Sequence, residues 1–500
     1  MVLRFPSRQL FVGVALFSLT CAGAPEGAAA QTVGKPKLGV LAQRRAVLAE
    51  GWSRVIVRAM NRESTSDLGS AITHAGGLPG RRLPIIDGQV AYVPNAALKA
   101  LADHEKIGHV HIDRPVAGAM ERTGKVVGAT NVREALGYDG SGVVVAVIDS
   151  GVAAAHDDLA DSDGRPRVVR FVDFVNGREV PYDDYGHGTH VAGIIAGNGR
   201  DSDGARSGIA PAAGLIVLKA LDASGSGRIS DVISALDYVL ANKDALNIRI
   251  VNLSLAASVY ESCDVDPLTI AAQRVASAGI VVVAAAGNLG RNIDGIIQYG
   301  GITAPGNAPW VLTVGAASHM GTVMRSDDTI APFSSRGPTF VDAGAKPDIV
   351  APGVGIESLS APDSTLYGTL SAYLLSGSES TSFLPYLSLS GTSMSAPVVS
   401  GTIALMLQAN PALTPNAVKA ILQFTSERRG AYDPLSQGAG FLNAKGAVAL
   451  ARYFAGATNE SPDSSEWSHR LIWGNQKVSG GRLSSSANAW ALTTKWGAVS

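Results

Sequence analysis

The stretch Val143–Ile148 reads VVVAVI, an apolar run with no polar interruption. A strand with one face in water alternates apolar and polar residues, so an unbroken run of this length marks a strand buried on both faces. The segments 215–220 (LIVLKA) and 248–253 (IRIVNL), each broken by polar residues, also read as strands, and the run at 280–286 (IVVVAAA) repeats the unbroken pattern. Strands of this kind pair in parallel and need helices on both sides, which predicts an α/β fold. The first run ends in Asp149-Ser150-Gly151 and the last in Gly287-Asn288. In open α/β sheets the carboxyl edge of the strands is where ligands bind.

Two further segments supply chemistry. Leu389–Pro397 (LSGTSMSAP) is a tight turn of small residues running into the apolar segment Val398–Leu407, with Pro397 in its first turn. That arrangement puts Ser393 at a helix N-terminus, where free N–H groups and the helix dipole stabilise a developing oxyanion. A lone serine in this position is ordinarily only an N-cap, so the inference depends on its partners. Tyr185–Gly193 (YGHGTHVAG) leads from a polar loop into a small-residue helix and sets His187 at its start. Three element ends thus offer Asp, His and Ser, in that chain order.

The three motifs, VIDSGV, GHGTHVAG and GTSMSAP, resemble the signature set of the subtilisin-like serine proteases, the subtilases (peptidase family S8). Asp, His, Ser is the subtilisin order and differs from that of chymotrypsin or the α/β-hydrolases. Ser395 stands where many relatives carry alanine. The resemblance implies a three-layer fold with a mostly parallel central sheet, and a serine endopeptidase made as a self-processing zymogen. It implies that Ser393 is the nucleophile, His187 the general base and Asp149 the residue that orients it, with His190 packing within its helix. It also implies that the side chain of Asn288, with the backbone N–H of the serine, forms the oxyanion hole. On the same basis Gly225, Ser226 and Gly227 form one edge for an extended substrate and Ser254, Leu255 and Ala256 the other, in the manner of β-augmentation. Ala285 and Gly287 belong to the walls of the first specificity pocket. Ala256 replaces the usual glycine, and its methyl crowds that pocket. With no acidic residue in these segments, uncharged side chains of medium size are expected before the scissile bond. Such a pocket discriminates by only about 1 to 3 kcal/mol per methylene, so specificity is expected to be broad.

The rest of the chain bounds the organisation. A length of 500 residues suggests about three domains' worth of chain. The net charge of −1 gives no reason to invoke nucleic acid or an anionic membrane. Nine histidines show no HExxH spacing, which disfavours a metalloprotease. No cofactor is required for triad chemistry. A structural calcium is implied by the resemblance, with Asp158 at a family calcium position and Asp201 and Asp203 in a loop that supplies ligands in some members; solvated loop aspartates are the alternative. Calcium takes about six to eight oxygens.

Residues 1–30 read as a signal peptide: Arg4 and Arg8, the apolar stretch Leu10–Ala22, then Ala28-Ala29-Ala30. Export, to the periplasm or beyond the cell, follows, with no membrane span. Cys263 is then the only cysteine left, and an internal disulfide is excluded. Residues 31–120, with a core from about 54 to 116, resemble the inhibitory propeptide of subtilases in a strand, strand, helix, strand pattern; an independent α+β domain is the alternative. Self-cleavage is expected within Arg114–Lys125. The catalytic domain is expected over residues 121–457, as a monomer whose partners are peptide substrates and its own propeptide. FSSRGP (333–338) and KPDIVAPGV (346–354) also match the family, and Ser358–Leu387 is expected as a surface excursion. Residues 458–500 hold Trp467, Trp473, Trp490 and Trp496; a small β appendage of unassigned role is expected there, with a carbohydrate- or surface-binding module as the alternative. The competing reading is a non-catalytic binding protein on the same scaffold, which the presence of all four catalytic residue types disfavours.

Overall fold

The structure is a computed structural model and describes residues 37–48, 50–83, 86–112, 119–161, 163–473 and 476–485. The chain divides into two compact units after Arg114. The expected signal segment, the stretch 113–118 at the expected cleavage linker, and Trp490 and Trp496 lie outside the described residues.

The first unit opens with helix α1 (Val40–Ala46) and forms a four-stranded antiparallel sheet in the order β2-β3-β1-β4, from β1 (Trp52–Ala59), β2 (Leu78–Leu83), β3 (Gly88–Pro94) and β4 (Ile107–Ile112). Helices α2 (Leu68–His74) and α3 (Leu98–Asp103) join its core, where Leu68, Ile72, Leu98 and Leu101 meet Val55, Val57, Ile107 and Val110. The strand, strand, helix, strand pattern expected over 54–116 corresponds to β1, β3, α3 and β4. Strand β2 (LPGRRL) went unread because it has no apolar face; its Pro79 is tolerated at the sheet edge.

The second unit begins with α4 (Ala119–Val127) and α5 (Ala129–Leu136). Its central sheet is built from β5 (Val144–Asp149), β6 (Val168–Asp173), β7 (Gly214–Lys219), β8 (Ile248–Leu253), β9 (Val281–Ala285), β10 (Leu312–Ser318), the short β11 (Thr329–Ile330) and β12 (Ile349–Pro352). The order is β11-β10-β9-β8-β5-β7-β6, with β12 also on β10, and every pairing except β10–β11 is parallel.

Side-chain parity explains the layers. Val145 and Val147 of β5, Leu215 and Val217 of β7, and Val281 and Val283 of β9 enter one core. Ala146 and Ile148, Ile216 and Leu218, Val282 and Ala284 enter the other. The first core is closed by α6 (His187–Ala196), α10 (Thr392–Ala409), α11 (Pro415–Thr425) and α13 (Ala444–Phe454), the short α12 (Pro434–Gln437) lying between the last two in sequence. The second is closed by α7 (Ile229–Asn242) and α8 (Pro267–Ser277). Asp149 shares the parity of Val145 and Val147, so the pleat aims it at the layer that holds α6 and α10. Strand β5 lies between β7 and β8, where strand order reverses, which is the crevice position in such sheets.

Several expectations are corrected. Ser358–Leu387 is no loose excursion: β13 (Ile356–Leu359), β14 (Leu374–Leu375) and β15 (Tyr386–Leu389) form an antiparallel sheet around α9 (Thr365–Thr369), and Leu359 and Tyr386 are buried in the main core. Helix α10 begins at Thr392, so Pro397 lies inside it and not in its first turn. The tail does form a small β element, the hairpin β16 (Arg470–Trp473) and β17 (Gln476–Ser479), but it packs on the catalytic unit: Leu471 and Ile472 join the main core, and the Trp467 ring meets Phe424 at 6.2 Å. Helix α4 takes up Ala119–Lys125, most of the stretch in which self-cleavage is expected.

Candidate active site

Asp149 ends β5, fully buried, and its Oδ1 accepts hydrogen bonds from its neighbour Ser150 N (2.8 Å) and from His187 Nδ1 (2.8 Å). The loop before α6 is clamped by Asp183. Its carboxylate accepts from Gly186 N (2.7 Å), Thr189 N (2.8 Å), Thr189 Oγ1 (2.6 Å) and Ser150 Oγ (2.8 Å), while Gly188 N donates to Ser150 Oγ (2.9 Å). One buried carboxylate thus caps the helix that carries His187 and ties it to the turn that carries Asp149. Gly188 is obligatory, because a Cβ there would strike the Gly151 carbonyl.

Lys219, buried at the end of β7, donates from Nζ to Ser150 O (2.6 Å), Leu221 O (2.7 Å) and Asp184 Oδ1 (2.6 Å), joining the ends of β5 and β7. Sequence reading missed Asp183, Asp184 and Lys219. An aspartate shortly before a helix start was a usable capping signal; a lysine inside an apolar run was not.

Burial acts to lower the pKa of His187, but the charge of Asp149, its hydrogen bond and the nearby Asp183 outweigh it and raise the imidazole above its ordinary value. His190 contrasts with it. Its Nε2 donates to Leu387 O (2.9 Å) and Ile356 O (3.1 Å), and burial, with the neighbouring His187, lowers its pKa to about 3. His190 is therefore a neutral packing residue that pins the inserted three-stranded sheet to α6.

Ser393 is the second residue of α10 and half-buried. Its Oγ donates to Ser254 O (3.0 Å), and Ser254 Oγ donates back to Ser393 O (2.8 Å). Asn288 follows β9. Its Oδ1 accepts from Thr392 N (3.0 Å) and Thr392 Oγ1 (3.0 Å), so the amide is oriented with Nδ2 as its free donor end; a Cβ on Gly391 would lie 3.5 Å from that nitrogen. Thr392 is a further contributor that sequence reading passed over inside the GTSMSAP motif.

A cavity of about 550 Å³ is lined by His187, Asn288 and Ser393 together with Gly225, Ser226, Gly227, Ser254, Leu255, Ala256, Ala285 and Gly287. All the expected substrate-contact residues therefore face one space, with Asp149 behind His187. Tyr185, Arg228, Ile229, Leu289 and Thr303 also line it and were not foreseen. Among the described residues the lining has no carboxylate. The 222–227 loop is preorganised, with Asp222 Oδ1 accepting from Ser224 N (2.8 Å), Ser224 Oγ (2.6 Å) and Ser226 N (3.1 Å). Gly225 has φ +75°, and a Cβ on it would collide with the Tyr185 ring.

Of the residues expected at a calcium position, Asp158 and Asp201 come together, joined by His156, with ligand atoms within 4.8 Å of one another; Asp203 is exposed and outside the group. Their chemistry does not fit calcium. Asp158 Oδ1 already accepts from Asp201 N (2.9 Å) and Oδ2 from Tyr386 OH (2.8 Å). His156 Nδ1 accepts from Asp158 N (3.1 Å), and its Nε2 faces Pro385 O (3.0 Å). A nitrogen donor and a hydrogen-bonded carboxylate stand where an ion needs open oxygens. Burial and the charge of Asp158 push the Asp201 carboxyl above the usual range, with His156 opposing.

Residues 140–447 match the family model of the subtilase family, Peptidase_S8. The serine protease AprX of Bacillus subtilis (strain 168) is 39% identical over 361 residues, covering 71% of this chain and 77% of that protein. Subtilisin DY of Bacillus licheniformis is 33% identical over 316 residues, covering 63% of this chain and 94% of that protein. A solved "cold adapted subtilisin-like serine proteinase" aligns at 29% identity and a TM-score of 0.45, over 61% of this chain and 90% of that one. The chain belongs to the subtilase family, whose members are serine endopeptidases. Among the described residues, no helix is long and apolar enough to cross a membrane.

Proposed function

We propose that the protein hydrolyses peptide bonds through Ser393, His187 and Asp149, with Asn288 at the oxyanion, and that it is exported as a zymogen. The observation that carries this reading is the 2.8 Å hydrogen bond from His187 Nδ1 to buried Asp149, behind a cavity that His187 shares with Ser393 and Asn288. With Nδ1–H donated to Asp149, Nε2 is the free base. A χ1 rotation takes the Ser393 hydroxyl from Ser254 O to His187 Nε2, which accepts its proton as Oγ attacks the substrate carbonyl. Charge then develops on the carbonyl oxygen, where Asn288 Nδ2 and the N–H groups at the start of α10 are the available donors. His187 returns the proton to the leaving amine, and water attacks the acyl-enzyme by the same route. Thr392 holds Asn288 before substrate arrives, so no reorganisation is needed at the moment of reaction.

The edges 225–227 and 254–256 hold the substrate as an extended strand read mainly through its backbone. The Ala256 methyl and the uncharged lining favour medium-sized neutral side chains before the cleaved bond. Residues 31–120 act as propeptide, assisting folding and inhibiting until self-cleavage between Arg114 and Lys125. Residues 1–30 direct export.

The intact masses of the purified exported protein and of its Ser393→Ala variant test this. Loss of a fragment ending within 114–125 in the wild type alone supports the reading. Retention in both, together with failure to cleave casein, would leave a binding scaffold.

A further inference from the structure

The segment after Asn288 exposes apolar side chains that the fold does not cover. Leu289 is 55% exposed, Ile293 101%, Ile296 62%, Ile297 50% and Tyr299 51%. This segment is no slack loop. Its base is closed by Gln298 N to Gly290 O (2.9 Å) and anchored by Gly290 N to Phe333 O (2.8 Å) and by buried Arg336 Nη1 to Gly290 O (2.8 Å). Its tip is turned by Asn292, whose N–H donates to Ile296 O (2.9 Å) and whose Oδ1 accepts from Ile296 N (2.8 Å) and Asp294 N (3.1 Å), with Gly295 at φ +77°. Tyr299 OH donates to Asp433 Oδ2 (3.0 Å). The hairpin therefore holds its isoleucines in water by its own hydrogen bonds.

Leu289 belongs at once to this hairpin and to the wall of the cavity that contains Ser393 and Asn288. The apolar surface is thus continuous with the cleft. We propose that the Leu289–Ile297 hairpin is an exosite that grips an apolar segment of an unfolded polypeptide while a bond nearby in that chain is cleaved. This inference rests on the proteolytic reading above. A folded protein keeps its apolar side chains inside and its backbone paired. Only an unfolded chain offers both an extended strand for the cleft edges and apolar residues beside it. A rigid display costs little ordering on contact, so the apolar area covered is recovered as affinity.

The test is the double variant Ile293→Ser/Ile296→Ser, whose side chains support no part of the core, assayed beside the wild type on two substrates. One is a reduced, carboxymethylated protein rich in apolar residues; the other is a tetrapeptide amide too short to reach the hairpin. Ser393 is counted in each preparation by a sulfonyl fluoride. The expected result is a KM about tenfold higher for the unfolded protein, with kcat unchanged and no change on the tetrapeptide. Equal losses on both substrates, or none on either with normal titration, overturn the exosite alone. Absence of titration in the wild type overturns the proteolytic reading and the exosite with it. A wild type that sediments as a dimer, dissociated by the double variant, assigns the patch to self-association and overturns the proposal.

Discussion

Ser254 and Ser393 exchange hydrogen bonds in both directions, side chain to carbonyl each way, at 2.8 Å and 3.0 Å. The reason lies one turn along α10. In a regular helix the Ser393 carbonyl accepts from the N–H four residues on, but that residue is Pro397, which has none. Ser254, at the end of β8, replaces the missing donor, and the sheet thereby fixes the height of the reactive serine.

Replacing Ser254 by alanine should therefore leave the half-buried Ser393 carbonyl without its partner, at a cost of about 1 kcal/mol. Measured by urea unfolding in a Ser393→Ala background, to prevent self-digestion, the loss should shrink when Pro397→Ala restores the helix N–H. A loss of equal size in the double variant would sink this account.

The pH dependence of kcat/KM should have an acid limb above the ordinary histidine value of about 6.5, because Asp149 and Asp183 raise His187 against its burial. The neutral imidazole is the active base, so activity disappears as pH falls through that raised pKa. Asp149→Asn should shift the limb to lower pH and reduce kcat by about 10⁴, the cost known for triad proteases. An acid limb unmoved by the substitution would exclude His187 as the group that titrates.

Thr392→Val keeps the backbone bond to Asn288 Oδ1 but deletes the hydroxyl one. Steady-state kinetics should show kcat reduced by about three- to tenfold, with KM unchanged, as the amide loses one of its two anchors. Asn288→Ala should cost about 10² to 10³ in kcat, a magnitude established on subtilisin, a member of this family. Equal effects of the two substitutions would mean that Thr392 acts on more than the amide.

Ser395 is buried with its Oγ unpartnered among the described residues. Ser395→Ala should raise unfolding stability by about 1 kcal/mol and leave kcat untouched, since the hydroxyl's desolvation is at present uncompensated. A lower melting temperature in the variant would show that the hydroxyl has a partner after all.

The sheet was legible because VVVAVI and IVVVAAA state burial on both faces without reference to anything distant. The same parity that sorts Val145 and Val147 from Ala146 and Ile148 also says on which side Asp149 emerges. The segment 358–387 was not legible: its strands β13, β14 and β15 are two to four residues long, and Tyr386 is buried by long-range packing that no local period announces. The start of α10 was misjudged because Thr392 to Ser395 look like a turn in sequence, although core packing keeps them helical. In the tail, Leu471 and Ile472 form too short a run to declare that they complete the core. Asp183 was legible only in part: Gly186 and Thr189 lie three and six residues on as a capping pattern, but only the fold brings Ser150 to it.

Helix α10 is buried along its length except at Ser393 and Gln408, and it meets β8, β9, β10, β12, α6 and α13. Most of these neighbours are far away in the chain, so their closure entropy must be met before the helix has a place to sit. A half-folded chain contains the serine but neither its Ser254 prop nor its Asn288 neighbour in position. The serine and its supports therefore come together only in the folded unit, and global unfolding takes all of them away at once.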